Sequence, residues 1–457
     1  MAASQEQSVG VIGGGLAGLA AGCALADAEF KVTVFERRPY VGGRASSYEH
    51  PGTGEVVDNC QHVLLGCCTN LIHFYETLGV SDKICWFDEL TFLEPGGRAS
   101  RFAPARFLPA PMHNVPAFLA AHMLSAKDKL AIARAMFAMS RGLPDSAEDF
   151  LSWLRRHGQT ERAIHRFWKT VLVSALNEDL DRVSGRYAAQ VFRESFMNSA
   201  QAGRMGVPSI PLSQLYSAAI RYIEARGGEV LLRCPVNAVG TCGDGVNITA
   251  STGERRFEYA IVAAPFQTVA RLLPADSAST QIKEKLGHFE SSPITGIHLW
   301  FDREITTLPH AVLLDRTIQW MFQKSRFQHQ REGPGSYIEV VVSASKSLVQ
   351  KSREEVLEIA LRELAEFFPA VTDATVLKAA VIKEVHATYS VLPGLDKFRP
   401  QARTLWPRIF LAGDWIASGW PATMEGAVRS GYLAAEAVTG RKFLVKDLGA
   451  KGLMRFV

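Results

Sequence analysis

The chain has 457 residues, 47% of them hydrophobic and 21% charged, which is enough for a large buried core and about three average domains. Lysine and arginine number 50 against 46 acidic residues, and no basic run with interleaved aromatics accompanies the net charge of +4, so a nucleic-acid partner is not expected. The seven cysteines include no C-x-x-C pair, which argues against a disulfide framework or a zinc site, and we expect no metal.

The first apolar stretch, residues 9–26, resembles a signal peptide or membrane span only superficially. It contains six glycines, and residues 1–8 carry a single charge, that of Glu6, rather than a basic segment. No other stretch reaches the ~20 uncharged apolar residues that a spanning helix needs. We therefore expect a cytoplasmic protein, able to rest on the inner face of a membrane.

A strand–turn–helix–strand unit is predicted at the N-terminus. The apolar run Ser8–Ile12 leads into a glycine-rich turn, an Ala/Leu-rich helix up to Asp27 and a second strand over residues 31–36. In this frame Gly13 permits the tight turn, Gly15 lets backbone N–H groups approach a pyrophosphate, and Gly18 allows close helix–sheet packing. The spacing predicts a dinucleotide site that also includes Leu16, Ala17, Glu36 as the ribose acceptor, and Arg37.

The remaining elements follow in chain order. Residues 90–201 are predicted to be mostly helical, and a helix over residues 212–226 is closed by Gly227 and Gly228. Patterns typical of strands and helices then alternate to the C-terminus: a hairpin-like region of strands at 229–232, 235–239, 246–250 and 260–264, strands within 295–344, a helix at 353–368, a strand at 408–412 and a helix at 425–438.

Two further motifs lie at opposite ends of the chain. Residues 42–44 read Gly-Gly-Arg, and residues 410–414 and 421–427 read Phe-Leu-Ala-Gly-Asp and Pro-Ala-Thr-Met-Glu-Gly-Ala. Together with the glycine turn they resemble the FAD-binding motifs of the amine oxidase and phytoene desaturase superfamily. The resemblance implies non-covalently bound FAD. Gly43 and Arg44 would contact its pyrophosphate and flavin, and Gly413 and Asp414 its ribityl phosphate. Met424 would face the flavin pyrimidine, and Val236 would contact adenine.

The implied fold class is α/β, with α+β character in the substrate part. A discontinuous Rossmann-type FAD-binding domain would comprise residues 1–80, 205–285 and 390–445. A substrate-binding domain of helices and sheet would be inserted as residues 81–204 and 286–389, and residues 446–457 would form a tail.

Residues 57–66, Val-Asp-Asn-Cys-Gln-His-Val-Leu-Leu-Gly, are similar to the squalene-associated branch of the phytoene desaturase-like proteins, the hydroxysqualene dehydroxylases of bacterial hopanoid synthesis. Residues 175–177, 207–215, 413–415 and 421–431 extend the similarity over most of the chain. It implies an apolar triterpene substrate whose hydroxyl is removed by hydride from reduced FAD, with Gln61 and His62 beside the flavin. Cys60 departs from the pattern, which has glycine there, and a positive φ at this position would be unfavourable for cysteine.

The departing hydroxyl requires a proton, and the candidate donors are Asp58 and His62. A structural role for both, with Asp58 satisfying backbone groups and His62 contacting the cofactor, is the alternative. The inserted part supplies apolar material for a substrate tunnel or an ordinary core, namely Phe102, Phe107, Met112, Phe118, Met123, Met136, Phe137 and Met139.

A membrane-dissolved substrate suggests a docking surface. Residues 102–123 and the basic amphipathic tail are candidates, although the tail is equally consistent with a frayed terminus. The sequence identifies no electron donor.

Three other functions share these motifs. A carotenoid-type desaturase would run the flavin oxidatively on a polyene. A flavin amine oxidase would need an aromatic cage, for which Trp415 and Trp420 are available, and often a lysine near the flavin, for which no motif is apparent. A redox-inactive FAD-binding protein is the third.

Overall fold

The computed structural model describes residues 7–328 and 335–456. The predicted domain ranges also include residues 1–6 and 329–334, and the predicted tail includes Val457, all of which lie outside the described residues.

The strands form five sheets. In chain order they are β1 Ser8–Ile12, β2 Lys31–Phe35, β3 Ser47–Glu49, β4 Val56–Asp58, β5 Leu64–Leu65, β6 Ile84–Phe87, β7 Leu90–Leu93, β8 Ala99–Phe102, β9 Met205–Pro208, β10 Glu229–Leu231, β11 Val236–Cys242, β12 Gly245–Ala250, β13 Gly253–Phe257, β14 Tyr259–Val262, β15 Ser291–Phe301, β16 His310–Leu313, β17 Trp320–Gln323, β18 Ser336–Ser343, β19 Val376–Tyr389 and β20 Ile409–Leu411.

The α-helices cover the sheets and build the inserted part. In chain order they are α1 Leu16–Asp27, α2 Thr69–Thr77, α3 Val115–Ala120, α4 Ala126–Arg141, α5 Phe150–Arg156, α6 Glu161–Ala163, α7 Thr170–Leu176, α8 Gly185–Val191, α9 Leu212–Glu224, α10 Phe266–Val269, α11 Ser277–Leu286, α12 Lys324–Phe327, α13 Arg353–Phe367 and α14 Met424–Thr439. Two π-helical turns, Ile164–Lys169 and Phe192–Met197, continue α6 and α8.

A five-stranded parallel sheet forms the first core. Its strand order is β10-β2-β1-β14-β20, and every neighbouring pair is parallel. The strands are nearly continuous apolar runs because both faces of the sheet are covered, one by helices that include α1 and the other by strands β12 and β13, whose Ile248 and Phe257 lie against Gly10 of β1. Its members come from three distant stretches of the chain, and this architecture confirms the predicted α/β class.

Helices α1 and α14 pack directly against each other beside this sheet. A Cβ atom at Gly431 of α14 would lie only 2.2 Å from the carbonyl oxygen of Ala17 in α1, so the backbones touch where glycine leaves room. The contact places the N-terminal turn of the chain next to its C-terminal helix.

The second large sheet belongs to the inserted part. Its order is β19-β15-β18-β17-β16-β7-β8, and all neighbours are antiparallel except the pair β16 and β7. Strand β18, between β15 and β17, is buried along its whole length. Helix α13 covers one face with Val356, Ala360 and Leu364.

Residues 90–201 are mostly helical, as predicted, although the region begins with strands β7 and β8, whose apolar residues complete the antiparallel sheet. One sequence prediction for an individual element was wrong. Residues 229–231 do not enter a hairpin: β10 pairs in parallel with β2 at the edge of the first sheet. In the described part of the chain, every helix is too short or too polar to cross a bilayer.

Candidate active site

The glycine-rich turn lies between β1 and α1. Gly13 has a φ of 109°, and a Cβ there would lie 2.7 Å from the carbonyl oxygen of Ala263; one at Gly18 would lie 1.9 Å from the carbonyl oxygen of Gly13. Helix α1 is almost completely buried, yet no side chain caps its N-terminus, which begins with Leu16 and Ala17. Its first N–H groups therefore remain available for an anion, which fits a pyrophosphate.

A second glycine turn closes over the first. Gly42 N–H donates to the carbonyl oxygen of Gly14 at 2.8 Å. A Cβ at Gly43, whose φ is 63°, would lie 3.0 Å from the Cα of Gly15. Side chains at either position would fill the space between the turns, so this cradle fits a closely approaching phosphate group.

Glu36 follows directly after β2 and is buried. Its Oε2 accepts from Gly14 N–H at 2.7 Å, and its Oε1 accepts from Arg38 N–H at 2.8 Å. Each carboxylate oxygen keeps a free lone pair for a ribose hydroxyl. Cys234 N–H donates to the carbonyl oxygen of Glu36 at 2.8 Å, which brings Val236, two residues further on, to this end of the sheet.

Arg44 joins the N-terminal and C-terminal motifs. Its Nη2 lies 2.7 Å from Asp414 Oδ1, and its Nη1 donates to the carbonyl oxygen of Ala387 at 3.0 Å. Gly413, which directly precedes Asp414, has a φ of 143°, and a Cβ there would lie 2.3 Å from Trp415 Nε1. The turn after β20 therefore requires glycine, which sets the direction of the Asp414 side chain.

Met424 begins α14 and is partly buried. The side chain of Thr423 caps this helix by accepting from Gly426 N–H at 3.0 Å, and Tyr216 Oη–H donates to Met424 Sδ at 3.6 Å. Trp415 is fully buried and donates its indole N–H to the carbonyl oxygen of Ala264 at 3.0 Å, so it does not form a wall of an aromatic cage.

The structure thus brings most predicted cofactor residues to one crevice at the ends of the parallel strands. These are Gly13, Gly15, Leu16, Ala17, Gly18, Glu36, Gly43, Arg44, Gly413, Asp414 and Met424. Arg37 has an exposed side chain beside Glu36. The assignment of each of these residues to a particular part of FAD remains a prediction.

Asp58 is buried at the end of β4 and is fully engaged. Its Oδ1 accepts from Ser47 Oγ–H at 2.6 Å and from Leu212 N–H at 3.2 Å, and its Oδ2 lies 2.5 Å from Lys324 Nζ. Burial alone would raise the pKa of Asp58, but Lys324 and these hydrogen bonds hold it below its ordinary value. An ionised carboxylate cannot donate a proton, so the geometry does not support Asp58 as the acid.

Lys324 is the functional candidate that the sequence did not indicate. It begins α12 directly after the buried strand β17, and its side chain has no exposed surface. Its ammonium also contacts Gln61 Oε1 at 2.9 Å and Glu339 Oε2 at 3.2 Å. The available signal in the sequence was a lysine that directly follows an apolar strand. Its carboxylate partners could not be predicted, because Asp58 lies 266 residues away and Glu339 lies on another strand.

Glu339 completes a buried cluster of two carboxylates and one ammonium. It lies on β18, opposite His298 of β15 and Phe322 of β17. Burial raises the pKa of Glu339 to about 7, although Lys324 acts against this. Because one ammonium cannot neutralise two buried carboxylates, Glu339 is the member of the cluster whose pKa rises toward neutrality.

His298 beside Glu339 is neutral. Its Nδ1 forms a hydrogen bond of 2.7 Å with Tyr337 Oη, and burial, aided by the charge of Lys324, lowers the pKa of His298 to about 3. A Cβ at Gly296 would lie 3.6 Å from His298 Nε2 and 3.7 Å from both Glu339 Oε1 and the carbonyl oxygen of Asn59. The polar cluster therefore lies directly behind the 58–62 segment.

His62 and Gln61 are the partly exposed members of this segment. His62 Nδ1 lies 2.7 Å from the carbonyl oxygen of Cys60, so Nδ1 carries a hydrogen and Nε2 is the atom left to exchange protons. Burial lowers the pKa of His62. Cys60 is buried and its φ is not positive, so cysteine fits where the family pattern has glycine.

An apolar cavity of about 210 Å³ lies in the helical insertion. Phe167, Phe192 and Phe196, which the two π-helical turns contribute, line it together with Phe102, Phe118 and Met136. The remaining lining residues are apolar except Asp88, His113 and Asn114. Of the predicted tunnel residues, Met123 and Met139 are instead buried core, and Phe107, Met112 and Phe137 face outward.

The cavity is connected to the polar cluster through packed side chains. Leu90 lines the cavity and also packs against a cluster that contains Cys60, Met205, Phe322 and Val341. Phe322 pairs with Glu339 across the sheet. An apolar region thus extends from the helical insertion to the back of the 58–62 segment.

Comparison with known proteins assigns the family. The protein-family model described as flavin containing amine oxidoreductase matches residues 16–439 of the chain. The chain therefore belongs to the flavin-containing amine oxidoreductase family, and it is a FAD-dependent oxidoreductase of the superfamily that includes the carotenoid desaturases.

Similar proteins of known name cover nearly the whole chain. The 15-cis-phytoene desaturase of Synechococcus elongatus is 27% identical over 95% of this chain and 96% of its own length. The zeta-carotene desaturase of Synechocystis is 26% identical, covering 94% of this chain and 96% of that protein.

Solved structures show the same fold at lower identity. An oxidoreductase from Methanosarcina mazei superposes with a TM-score of 0.73 at 18% identity, covering 95% of this chain and 100% of the other. Putrescine oxidase bound to putrescine gives a TM-score of 0.71 at 18% identity, covering 96% and 100%.

Proposed function

We propose that this protein removes the hydroxyl of hydroxysqualene reductively, giving squalene and water in squalene and hopanoid biosynthesis. The carbon–oxygen bond breaks, a hydride equivalent replaces the hydroxyl on carbon, and a proton converts the departing hydroxyl into water. FAD, when bound and reduced, supplies the hydride equivalent.

The observation that carries the proposal is the apolar cavity. Its wall of phenylalanine, proline and aliphatic side chains suits a hydrocarbon and offers no acidic cage for an amine apart from Asp88 at its edge. At about 210 Å³ it holds only part of a triterpene, so in this proposal the packed apolar side chains between the cavity and residues 58–62 separate to admit the rest of the substrate. The relatives named after carotenoid desaturation support an isoprenoid substrate.

The chain's own residues would supply the proton and the positioning. His62 is the proton donor in this proposal, because its ring is partly exposed and its Nε2 remains unengaged by the bond to Cys60. Asp58 and Lys324 are positioning residues that hold Gln61, next to His62, from behind. The family resemblance of residues 57–66 is the reason for preferring dehydroxylation.

Oxidative desaturation of a polyene is the second candidate, favoured by the similarity to phytoene and zeta-carotene desaturases. It would use the same crevice and cavity with electrons flowing from substrate to flavin. Lys324, the buried lysine, gives less support to an amine oxidase, since its ammonium donates hydrogen bonds to Asp58 and Gln61 and forms an ion pair with Glu339.

The test is anaerobic turnover of the purified holoenzyme. The bound FAD is photoreduced, hydroxysqualene is added, and flavin absorbance is followed while the products are extracted. Reoxidation of the flavin with one squalene formed per flavin supports dehydroxylation. The flavin could instead stay reduced with hydroxysqualene, while phytoene bleaches the oxidised enzyme. Those two results together would contradict dehydroxylation and support desaturation.

A further inference from the structure

Helix α4 carries a regular stripe of cationic and apolar side chains on its outer face. Lys127, Leu130, Arg134, Phe137 and Arg141 follow one another at alternating steps of three and four residues, and all five are exposed. Leu130 exposes 55% and Phe137 63% of its surface, and the Arg141 guanidinium lies 5.5 Å from the centre of the Phe137 ring. The opposite face of α4, with Ala131, Ile132, Ala135 and Met139, is buried.

Two neighbouring segments extend this stripe. Phe107 exposes 85% and Leu119 62% of its surface in the 105–120 region, and Leu453 exposes 52% near the C-terminus. Lys129 Nζ donates to the carbonyl oxygen of Leu119 at 2.6 Å, and Leu453 N–H donates to that of Ala110 at 2.8 Å. We call the α4 stripe with residues 105–120 and 450–455 the basic apolar face.

The C-terminal segment is a packed part of this face rather than a frayed end. Met454 is buried against Ala110 and Met197, and Met136 of α4 packs on the same cluster. Lys451 and Arg455, on either side of Met454, are exposed. The tail is therefore anchored beside α4 through Met454, and Lys451, Leu453 and Arg455 next to this anchor are exposed.

The charge of the face is one-sided. Between residues 98 and 141 the chain has seven lysine or arginine residues and a single acidic residue, Asp128. Asp128 is buried and serves in the capping box of α4, so it does not offset the exposed cations. This excess contrasts with a net charge of +4 for the whole chain.

The face also covers the apolar cavity. Ile132, Ala133 and Met136 of α4 line the cavity from one side, and Pro111, Val115 and Phe118 line it from the 105–120 region. The same short elements thus present apolar side chains to the cavity on one side and to solvent on the other.

We propose that the basic apolar face docks on an anionic lipid bilayer, with Phe107, Leu119, Leu130, Phe137 and Leu453 inserted among the acyl chains and the cations at the headgroups. Exposed apolar side chains interleaved with lysine and arginine are the features of an interfacial segment. A second copy of the chain is a poor occupant, because a twofold contact would place the same cations against each other. Docking over the cavity gives a membrane-dissolved substrate a path that avoids water; this consequence, unlike lipid binding itself, rests on the proposed function.

Vesicle co-sedimentation of the full-length holoenzyme without substrate tests the docking. Wild type is expected to bind vesicles of phosphatidylcholine with phosphatidylglycerol, and to bind pure phosphatidylcholine much more weakly. The triple variant Lys127→Glu, Arg134→Glu, Arg141→Glu should lose more than about tenfold in partition coefficient, since each cation near an anionic surface contributes a factor of about five. Leu130→Ser with Phe137→Ser should lower binding to the same vesicles at low and high salt.

Matched controls lie on other surfaces. Arg271→Glu, Lys283→Glu, Lys285→Glu makes the same charge change among exposed residues near or on α11, and Leu377→Ser with Leu405→Ser removes two comparably exposed leucines. Both control variants should bind vesicles like wild type. Equal binding of the α4 variants and wild type, or a change in oligomeric state in place of a change in vesicle binding, would overturn docking.

Turnover separates this proposal from the proposed function. If docking is right, the α4 variants turn over hydroxysqualene in detergent micelles like wild type and are slower only with substrate in anionic vesicles. Absence of turnover in both media for wild type would remove the proposed function and leave the vesicle-binding result to decide the docking.

Discussion

At the scale of single residues, the arrangement that most shapes this site is the buried group of Asp58, Lys324 and Glu339. Each charge has been removed from water, which is costly unless a partner compensates it. Lys324 compensates Asp58 fully and Glu339 only in part, so burial, helped by the charge of Asp58, raises the pKa of Glu339 to about 7.

Replacing Lys324 by methionine should leave two carboxylates buried without a cation. We expect the free energy of unfolding to fall by about 3–5 kcal/mol, measured by urea denaturation of the holoenzyme. Lys378→Met removes a half-exposed ion pair with Glu55 and should cost no more than about 1 kcal/mol. Equal losses for the two variants would contradict a dependence of the core on Lys324.

The protonation of Glu339 should appear in the pH dependence of stability. Its pKa is raised from 4.5 to about 7 on folding, so the folded state binds the extra proton and stability is lost as pH rises through about 7. Wild type should lose up to about 3 kcal/mol between pH 4.5 and pH 8 from this group. Tm measured across that range should be flatter in Glu339→Gln, whereas the exposed control Glu254→Gln should follow wild type.

His62 is the residue whose loss should affect chemistry without affecting the cofactor. His62→Gln should lower the rate of squalene formation by about 10²–10⁴-fold, because a positioned acid contributes that much to proton transfer. The FAD content of the purified variant should match wild type. Because the acid must be protonated, the wild-type rate should fall as pH rises above the pKa of His62, which lies below its ordinary value. Full turnover by His62→Gln would remove it as the donor.

At the scale of elements, the cofactor crevice depends on the contact between α1 and α14. Both helices begin at the crevice, one after Gly15 and the other after Thr423. Glu425, in the first turn of α14, accepts from the N–H groups of Asn70 and Leu71, which ties α2 to the same corner. The N-termini of these helices are therefore held in place by packing as well as by sequence.

Gly431→Val should separate α1 from α14. The new Cβ would meet the carbonyl oxygen of Ala17 and the amide of Ala21, both backbone atoms that cannot turn away. We expect a loss of about 1–3 kcal/mol or more in unfolding free energy and purification largely without FAD, measured by flavin absorbance per protein. Gly240→Ala, at a position with open space around a Cβ, is the control and should retain FAD.

At the scale of the whole molecule, we expect the parallel sheet and the inserted part to have separable tasks. The crevice at the parallel strands holds the dinucleotide motifs, and the helical insertion holds the apolar cavity. A change in the cavity should therefore alter substrate binding and leave FAD binding intact.

Filling the cavity tests this separation. Val171→Trp adds volume among Phe118, Phe167 and Phe192, and we expect the KM for the apolar substrate to rise about tenfold or more while FAD content stays unchanged. Leu377→Trp, at an exposed site on β19, should leave both quantities as in wild type. An unchanged KM in Val171→Trp would mean that the substrate does not use the cavity.

The sequence by itself determined the local elements whose chemistry is short-range. The turn at Gly13 and Gly18, the acid at the end of β2 and the capped start of α14 each depend on residues only a few positions apart, and the predicted strands and helices around them match the observed ones closely. The same holds for α9 and α13, whose apolar spacing is regular over three or more turns.

Only the tertiary structure decided which distant residues share a charge or a cavity. Asp58 lies 266 residues before Lys324 in the chain, and its role changed from acid to counter-ion once Lys324 and Glu339 were placed beside it. Likewise, helical periodicity could not tell that Phe118 and Met136 face the cavity while Phe107 and Phe137 face solvent. Pairing across sheets and packing between helices fix these relations, and neither leaves a short-range pattern in the sequence.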